Sequence, residues 1–157
     1  MINLRLLKIH NVQLPEGLEY LSNNLRLFDW EGYPLKSLPP NLQLDKIIEL
    51  KMDLSRIEQL QQGIKPFNNL KSISFENCRY LIKTPDFTFA PNLENVNLQS
   101  CTMLHEIHPS LLVDKKITYL YMMKCTSLTT LPNQIHMESL RRHNLSWCYK
   151  LKKFQRL

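Results

Sequence analysis

Glycine is scarce in this 157-residue chain, with only Gly17, Gly32 and Gly63. They stand too far apart to build a phosphate-cradling loop, and G-x-x-x-x-G-K-[ST], G-x-G-x-x-G and G-x-S-x-G are all absent. No apolar run approaches the ~20 residues needed to cross a bilayer. Lys8 and His10 interrupt the one N-terminal stretch that could act as an export signal. None of the four cysteines forms a C-x-x-C pair, so zinc-type ligand spacing is missing. His105 and His108 lie three apart, but Pro109 follows at once and opposes the helix that would align them. Nothing brings a nucleophile, a base and an orienting group together. The expectation is a non-enzymatic chain without metal or cofactor, cytoplasmic or nuclear, its thiols reduced.

What is present suits one folded domain: 43% hydrophobic, 22% charged and 9% aromatic residues, a composition that can bury a core. Nine prolines against three glycines imply many short segments, each ended by a rigid turn. The net charge of +6 is unevenly placed, since residues 1–113 sum to −1 and residues 114–157 to +7. A basic end first suggests nucleic acid or an anionic membrane surface.

A fixed period organises the chain. The pattern L-x-x-L-x-L or its variants begins at Leu4, Leu25, Ile47, Leu70, Leu93, Ile117 and Leu140, spaced 21 to 24 residues apart. Three residues after each segment come Val12, Tyr33, Ser55, Cys78, Cys101, Cys125 and Cys148, so all four cysteines share one column. A proline recurs further on, in Leu14-Pro15, Leu38-Pro39, Thr84-Pro85, His108-Pro109 and Leu131-Pro132, whereas Leu60-Gln61 and Phe154-Gln155 lack it. Each segment alternates like a strand with one buried face. The reading is an α/β solenoid of about seven coils over residues 1–157. A parallel sheet forms its concave face, with irregular or short helical segments on the convex side.

In that arrangement two columns face outward on the concave side. One runs Lys8, Asp29, Lys51, Ser74, Asn97, Tyr121, Asn144; the other His10, Glu31, Asp53, Glu76, Gln99, Met123, Ser146. Partner contact is expected at Glu31, Asp53, Glu76, Asn97, Gln99, Tyr119, Tyr121, Met123 and Asn144, because exposed Tyr is favoured at binding hot spots and a merely solvated ladder does not need it. The cysteines read as small thiols donating weakly to buried carbonyls inside the bend. The cations of the basic end scatter around the repeat instead of forming the stripe that nucleic acid would want, so no specific nucleic-acid partner is expected. His143 breaks an apolar column, and Asn144-Leu145-Ser146 is a glycosylation sequon inside an expected strand.

The residues also resemble a known family, the leucine-rich repeats of plant TIR-NB-LRR immune receptors. The likeness is carried by Asn3–Ile9, by Leu25-Arg26-Leu27-Phe28-Asp29-Trp30 and by Gly32-Tyr33-Pro34-Leu35-Lys36-Ser37-Leu38-Pro39. It continues through Ser55–Leu60, Lys83-Thr84-Pro85-Asp86-Phe87, Pro91-Asn92-Leu93-Glu94, His108-Pro109-Ser110-Leu111 and the Cys-x-x-Leu segments. Gln61, His143 and Gln155 depart from the family's usual residues. The resemblance implies a protein-recognition segment that senses pathogen effectors, or host proteins they act on, and holds a receptor in its resting state. It further implies neighbouring domains in a full-length relative: a nucleotide-binding domain taking ADP or ATP, and a TIR domain with NAD hydrolase activity. These 157 residues contain neither, so no cofactor is expected here. The alternative reading is a truncated, non-signalling repeat product or a generic protein-binding scaffold.

Overall fold

A single x-L-x-L strand exposes an apolar face that it cannot bury by itself, and the structure resolves this by stacking one strand on the next. The structure, a computed structural model, describes residues 3–14, 21–40, 42–60, 67–113, 116–132 and 136–152. Pro15, Gly17, Gln61, Gly63, Phe154 and Gln155, singled out above, lie outside the described residues. The strands are β1 (Leu6–His10), β2 (Leu27–Glu31), β3 (Glu49–Lys51), β4 (Ser72–Ser74), β5 (Asn95–Asn97), β6 (Tyr119–Tyr121) and β7 (Arg142–Asn144). They form one parallel sheet in chain order, each strand pairing only with its sequence neighbours. The register never slips: Leu7, Phe28, Leu50, Ile73, Val96, Leu120 and His143 pair in succession. This is a parallel-sheet solenoid.

Register turns the periodic leucines into continuous buried rows. Leu25, Ile47, Leu70, Leu93 and Ile117 form one; Trp30, Met52, Phe75, Leu98 and Met122 form another, all buried. Each fully buried apolar side chain contributes ~1.5–3 kcal/mol relative to exposure. In the first coil the rows are thinner, with Leu7 and Ile9 only half-buried. Trp30 sits edge-on to Phe28 at 6.2 Å and to Tyr33 at 5.0 Å between ring centroids, and its indole Nε1 has no hydrogen-bond partner among the described residues. The Tyr33 hydroxyl donates to the Ser37 carbonyl at 3.0 Å, pinning the turn after β2.

The convex side is irregular, as expected, with less helix than an α/β reading allows. Among the described residues there is no α-helix; the only helical segments are 3-10 turns at Phe87–Phe89 and Pro109–Leu111. The reason lies in where the backbone N–H groups go. Ile82 donates to the Glu58 carbonyl at 3.1 Å, His105 to Ile82 at 3.1 Å and Lys152 to Thr129 at 3.0 Å, each reaching the preceding coil. An N–H engaged by the neighbouring coil is unavailable to an i−4 carbonyl, so lateral pairing displaces the helix. Both turns are capped from the side chain of the residue before them. Asp86 Oδ1 accepts from the Thr88 N–H at 2.8 Å, and the His108 ring accepts from the Ser110 N–H at 3.3 Å.

The cysteine column forms a ladder of thiol hydrogen bonds. Cys78 Sγ donates to the Met52 carbonyl at 2.9 Å, Cys101 to Phe75 at 3.1 Å, Cys125 to Leu98 at 3.1 Å and Cys148 to Met122 at 3.1 Å. Each thiol satisfies the carbonyl one residue past the strand of the coil before it, and all four are free. Burial pushes the Cys78 thiol up to about 11 and raises Cys101 further. In the last pair, the hydrogen bond they share raises Cys125 and lowers the half-buried Cys148. Native-state alkylation with iodoacetamide should therefore modify Cys148 first, the other three reacting only on unfolding. Uniform labelling of all four thiols in the folded chain would contradict the ladder.

One further column follows the strands. Asn11, Gly32, Leu54, Asn77, Ser100, Lys124 and Trp147 all adopt positive φ, between 56° and 75°. From Gly32 to Lys124, each of these N–H groups donates to the next coil at 2.7–2.8 Å. The left-handed kink thus keeps the backbone paired while the chain turns off the sheet. At this φ a residue with Cβ costs roughly 1–2 kcal/mol. A Cβ built on Gly32 would meet nothing within 4 Å, so Gly32→Ala isolates the backbone term. It should lower stability by about 1 kcal/mol in urea unfolding. Leu54→Gly, at a side chain 54% exposed, should move the midpoint the opposite way. Equal midpoints for the two variants would show that the kink stores no strain.

Candidate functional site

With strands pairing in one register, outward side chains fall into straight files on the concave face. The first outward file runs Lys8, Asp29, Lys51, Ser74, Asn97, Tyr121 and Asn144, as its spacing implied. Over β3–β6 the face hollows into a groove of about 530 Å³. Its lining includes Asp53, Glu76, Asn97, Gln99, Tyr119 and Tyr121, six of the nine residues expected to meet a partner. Glu31, Met123 and Asn144 lie outside that lining. Glu31 is half-buried beside His10, with Oε2 to Nδ1 at 3.7 Å. The Asn144 amide donates to the Met123 sulfur at 3.8 Å.

The two outward files interlock along a diagonal that spacing alone did not reveal. A residue of the second file in one coil contacts a residue of the first file in the next. His10 Nε2 lies 3.4 Å from Asp29, Ser74 Oγ donates to Asp53 at 2.5 Å and the Asn97 amide donates to Glu76 at 3.0 Å. Asn97 Oδ1 in turn accepts from the Gln99 N–H at 3.1 Å. Asp29, although in an outward file, is only 9% exposed and also faces Lys8 Nζ at 4.0 Å. Its neighbours in the file are both lysines, so burial between them leaves the carboxylate with cations on two sides. Lys51 itself is held by Glu49 at 2.8 Å. Asp53 and Glu76 of the acidic stripe are therefore oriented acceptors rather than loose charges.

Tyr119 and Tyr121 project from alternate positions of β6 on the same face, their rings nearly parallel at 12° and 6.4 Å apart. Both are half-buried, less open than their spacing suggested. They stand at one wall of the groove, with the Asp53–Glu76–Asn97 acceptors on the floor. Such a surface can hold a peptide or loop: aromatic faces supply apolar area, and carboxylate and amide groups orient donors. His105 and His108 do not converge. His105 Nδ1 lies 3.3 Å from the Met103 carbonyl and His108 serves as a cap, and among the described residues no His, Cys, Asp or Glu group could hold a metal.

One strand per repeat, leucines inward, cysteines under the bend and an open concave groove define the leucine-rich repeat class of solenoid. Comparison with known proteins is more specific. The chain is 34% identical to disease resistance protein RPP2A of Arabidopsis thaliana over 99% of its own length. It is 34% identical to the TMV resistance protein N of Nicotiana glutinosa over 96%, and 35% identical to disease resistance protein RPS6 of Arabidopsis thaliana over 98%. It covers 12%, 13% and 15% of those three proteins, about an eighth of their length. No family model matches it. Along nearly its whole length the chain is thus similar to a part of plant TIR-NB-LRR disease resistance proteins.

Asp53 offers a pH test of the groove floor. Burial raises its carboxyl above 3.8, against the Ser74 and Glu76 hydrogen bonds, which favour the ionised form. A folded-state value above the unfolded one means that the ionised form is disfavoured by folding, increasingly so as pH rises through the folded value. Asn keeps the Oδ1 acceptor and loses the charge. Asp53→Asn should thus raise the melting temperature at pH 7, with the gain shrinking below pH ~4. A loss of stability at pH 7 that disappears in acid would reverse the assignment.

Proposed function

We propose that this chain is the protein-recognition and regulatory segment of an intracellular plant immune receptor, one domain of seven coils. Its partner on this reading is a pathogen effector, or a host protein that the receptor monitors. In a longer relative it also packs against the TIR and nucleotide-binding domains and holds them at rest. The role is non-catalytic and needs no cofactor; ADP or ATP belongs to the nucleotide-binding domain of such a relative. Nucleic acid is not a specific partner, and the site of action is cytoplasmic or nuclear. Among the described residues no helix is long and apolar enough to span a membrane.

The observation that carries this reading is relatedness to resistance proteins over 96–99% of the chain, combined with a groove walled by the stacked Tyr119–Tyr121 pair. A groove of this shape selects a partner by how it fills the aromatic wall and meets the oriented acceptors. The test is an exchange. The matching segment of the TMV resistance protein N is replaced by this chain, and virus resistance is scored in leaf tissue. The chimera should accumulate normally yet show an altered response to the virus. Tyr119→Ala with Tyr121→Ala should change the response again without lowering protein level. A chimera indistinguishable from its parent, with or without the tyrosines, would refute a recognition role for this face.

A further inference from the structure

The concave face is not where the exposed apolar residues lie. Of the eight large hydrophobic side chains exposed among the described residues, six (Val12, Leu54, Tyr80, Met103, Trp147 and Tyr149) fall in the turns just after the strands. Repetition brings these turns to one flank of the solenoid, and in the last coil two of the residues, Trp147 and Tyr149, adjoin. Isolated exposed apolar residues are ordinary, whereas adjoining ones beside a groove mark an interaction surface.

At the last four coils this flank hollows into a second groove of about 390 Å³, separate from the concave one. Trp147 and Tyr149, 57% and 72% exposed, meet edge to face at 5.9 Å between ring centroids and close one end. Arg79 and Lys124 add two cations, and the remaining lining is neutral: Asn77, Ser100, Thr102 and Thr126. No carboxylate lines it. Glu76, the acid next to Asn77 in the chain, instead faces the concave groove, where the Asn97 amide holds it at 3.0 Å.

We infer that this flank groove docks an extended acidic protein segment whose apolar side chain packs against Trp147 and Tyr149 while its carboxylates meet Lys124 and Arg79. Four coils at ~4.8 Å spacing give a run of about 15 Å, and an extended chain at ~3.3 Å per residue crosses it in four or five residues. Aromatic anchors beside a cation are the groups that dominate binding energy at protein interfaces. A single-stranded nucleic acid could also stack on the aromatics, but it requires a continuous cationic track, and two cations among eight lining residues do not supply one. The inference concerns a surface distinct from the concave groove and stands or falls independently of it.

The test uses the whole chain and a fluorescein-labelled decapeptide alternating Asp or Glu with Leu and Phe, read by anisotropy. Saturable binding is expected, together with a change in Trp147 emission. Lys124→Glu and Trp147→Asn should each weaken binding at least tenfold. Asparagine suits a positive φ, so the second variant leaves the turn intact, and circular dichroism melting verifies both folds. Tyr121→Ala, on the concave face, should bind the peptide as the parent chain does. The inference is overturned if the peptide does not bind, if binding ignores Trp147 and Lys124, or if a ten-residue oligothymidylate binds more tightly than the peptide.

Discussion

The structure depends on one constraint, that each coil must pair laterally with the next in an unshifted register. Parallel strands need that pairing to satisfy their backbone groups, and a one-residue slip would turn every leucine row to solvent. The same lateral demand reaches beyond the strands. It takes N–H groups on the convex side that would otherwise close helices, places each thiol from Cys78 to Cys148 against the carbonyl just past the preceding strand, and sets the left-handed kink after every strand. A side chain in this protein is therefore defined by its column before its sequence neighbours.

That constraint explains what could be read from the chain. A recurring L-x-x-L-x-L at 21–24 residues implies strands, inward rows and outward files together, because register makes them one fact. Phe28, Leu50, Ile73, Val96 and Leu120 are buried as the alternation required, and the cysteine column donates to buried carbonyls as its small size suggested. The positive-φ column was not legible. Asn, Gly, Leu, Asn, Ser, Lys and Trp share no side-chain chemistry; only the backbone conformation is common to them. How little helix the convex side carries was hard to read for a related reason. Its N–H partners lie in another coil, and local periodicity carries no information about a bond to a residue more than twenty positions away.

Electrostatics followed the same division. Charge alternates at Lys8, Asp29 and Lys51 in the sequence itself, an order that avoids repulsion within a ladder. The burial of Asp29 and the diagonal bonds from Ser74 to Asp53 and Asn97 to Glu76 were not legible there, since they join different files in different coils. Twist between successive strands offers a physical reason: it offsets each coil against the next, so the nearest side chain across the step is a diagonal one. The formal +6 loses its first meaning on this surface. Lys116, Arg141 and Arg142 lie before or within strands, whereas Lys124 and Lys150 lie in turns after them, so the basic end presents no single face.

The two grooves differ in how much freedom their side chains retain, and this difference follows from the fold. On the concave face side chains stand close enough across coils to bond one another, and those bonds hold Asp53, Glu76 and Asn97 in fixed orientations. A partner there meets a surface whose ordering cost is already met by folding, which favours selectivity over adaptability. On the flank the kink swings side chains away from the stack, and Trp147 and Tyr149 touch each other across a turn open to solvent. Their apolar area is uncommitted, so a partner there gains burial but must order the rings. The repeat thus presents two chemically distinct surfaces, one pre-ordered and polar and one open and aromatic, both generated by the same lateral register.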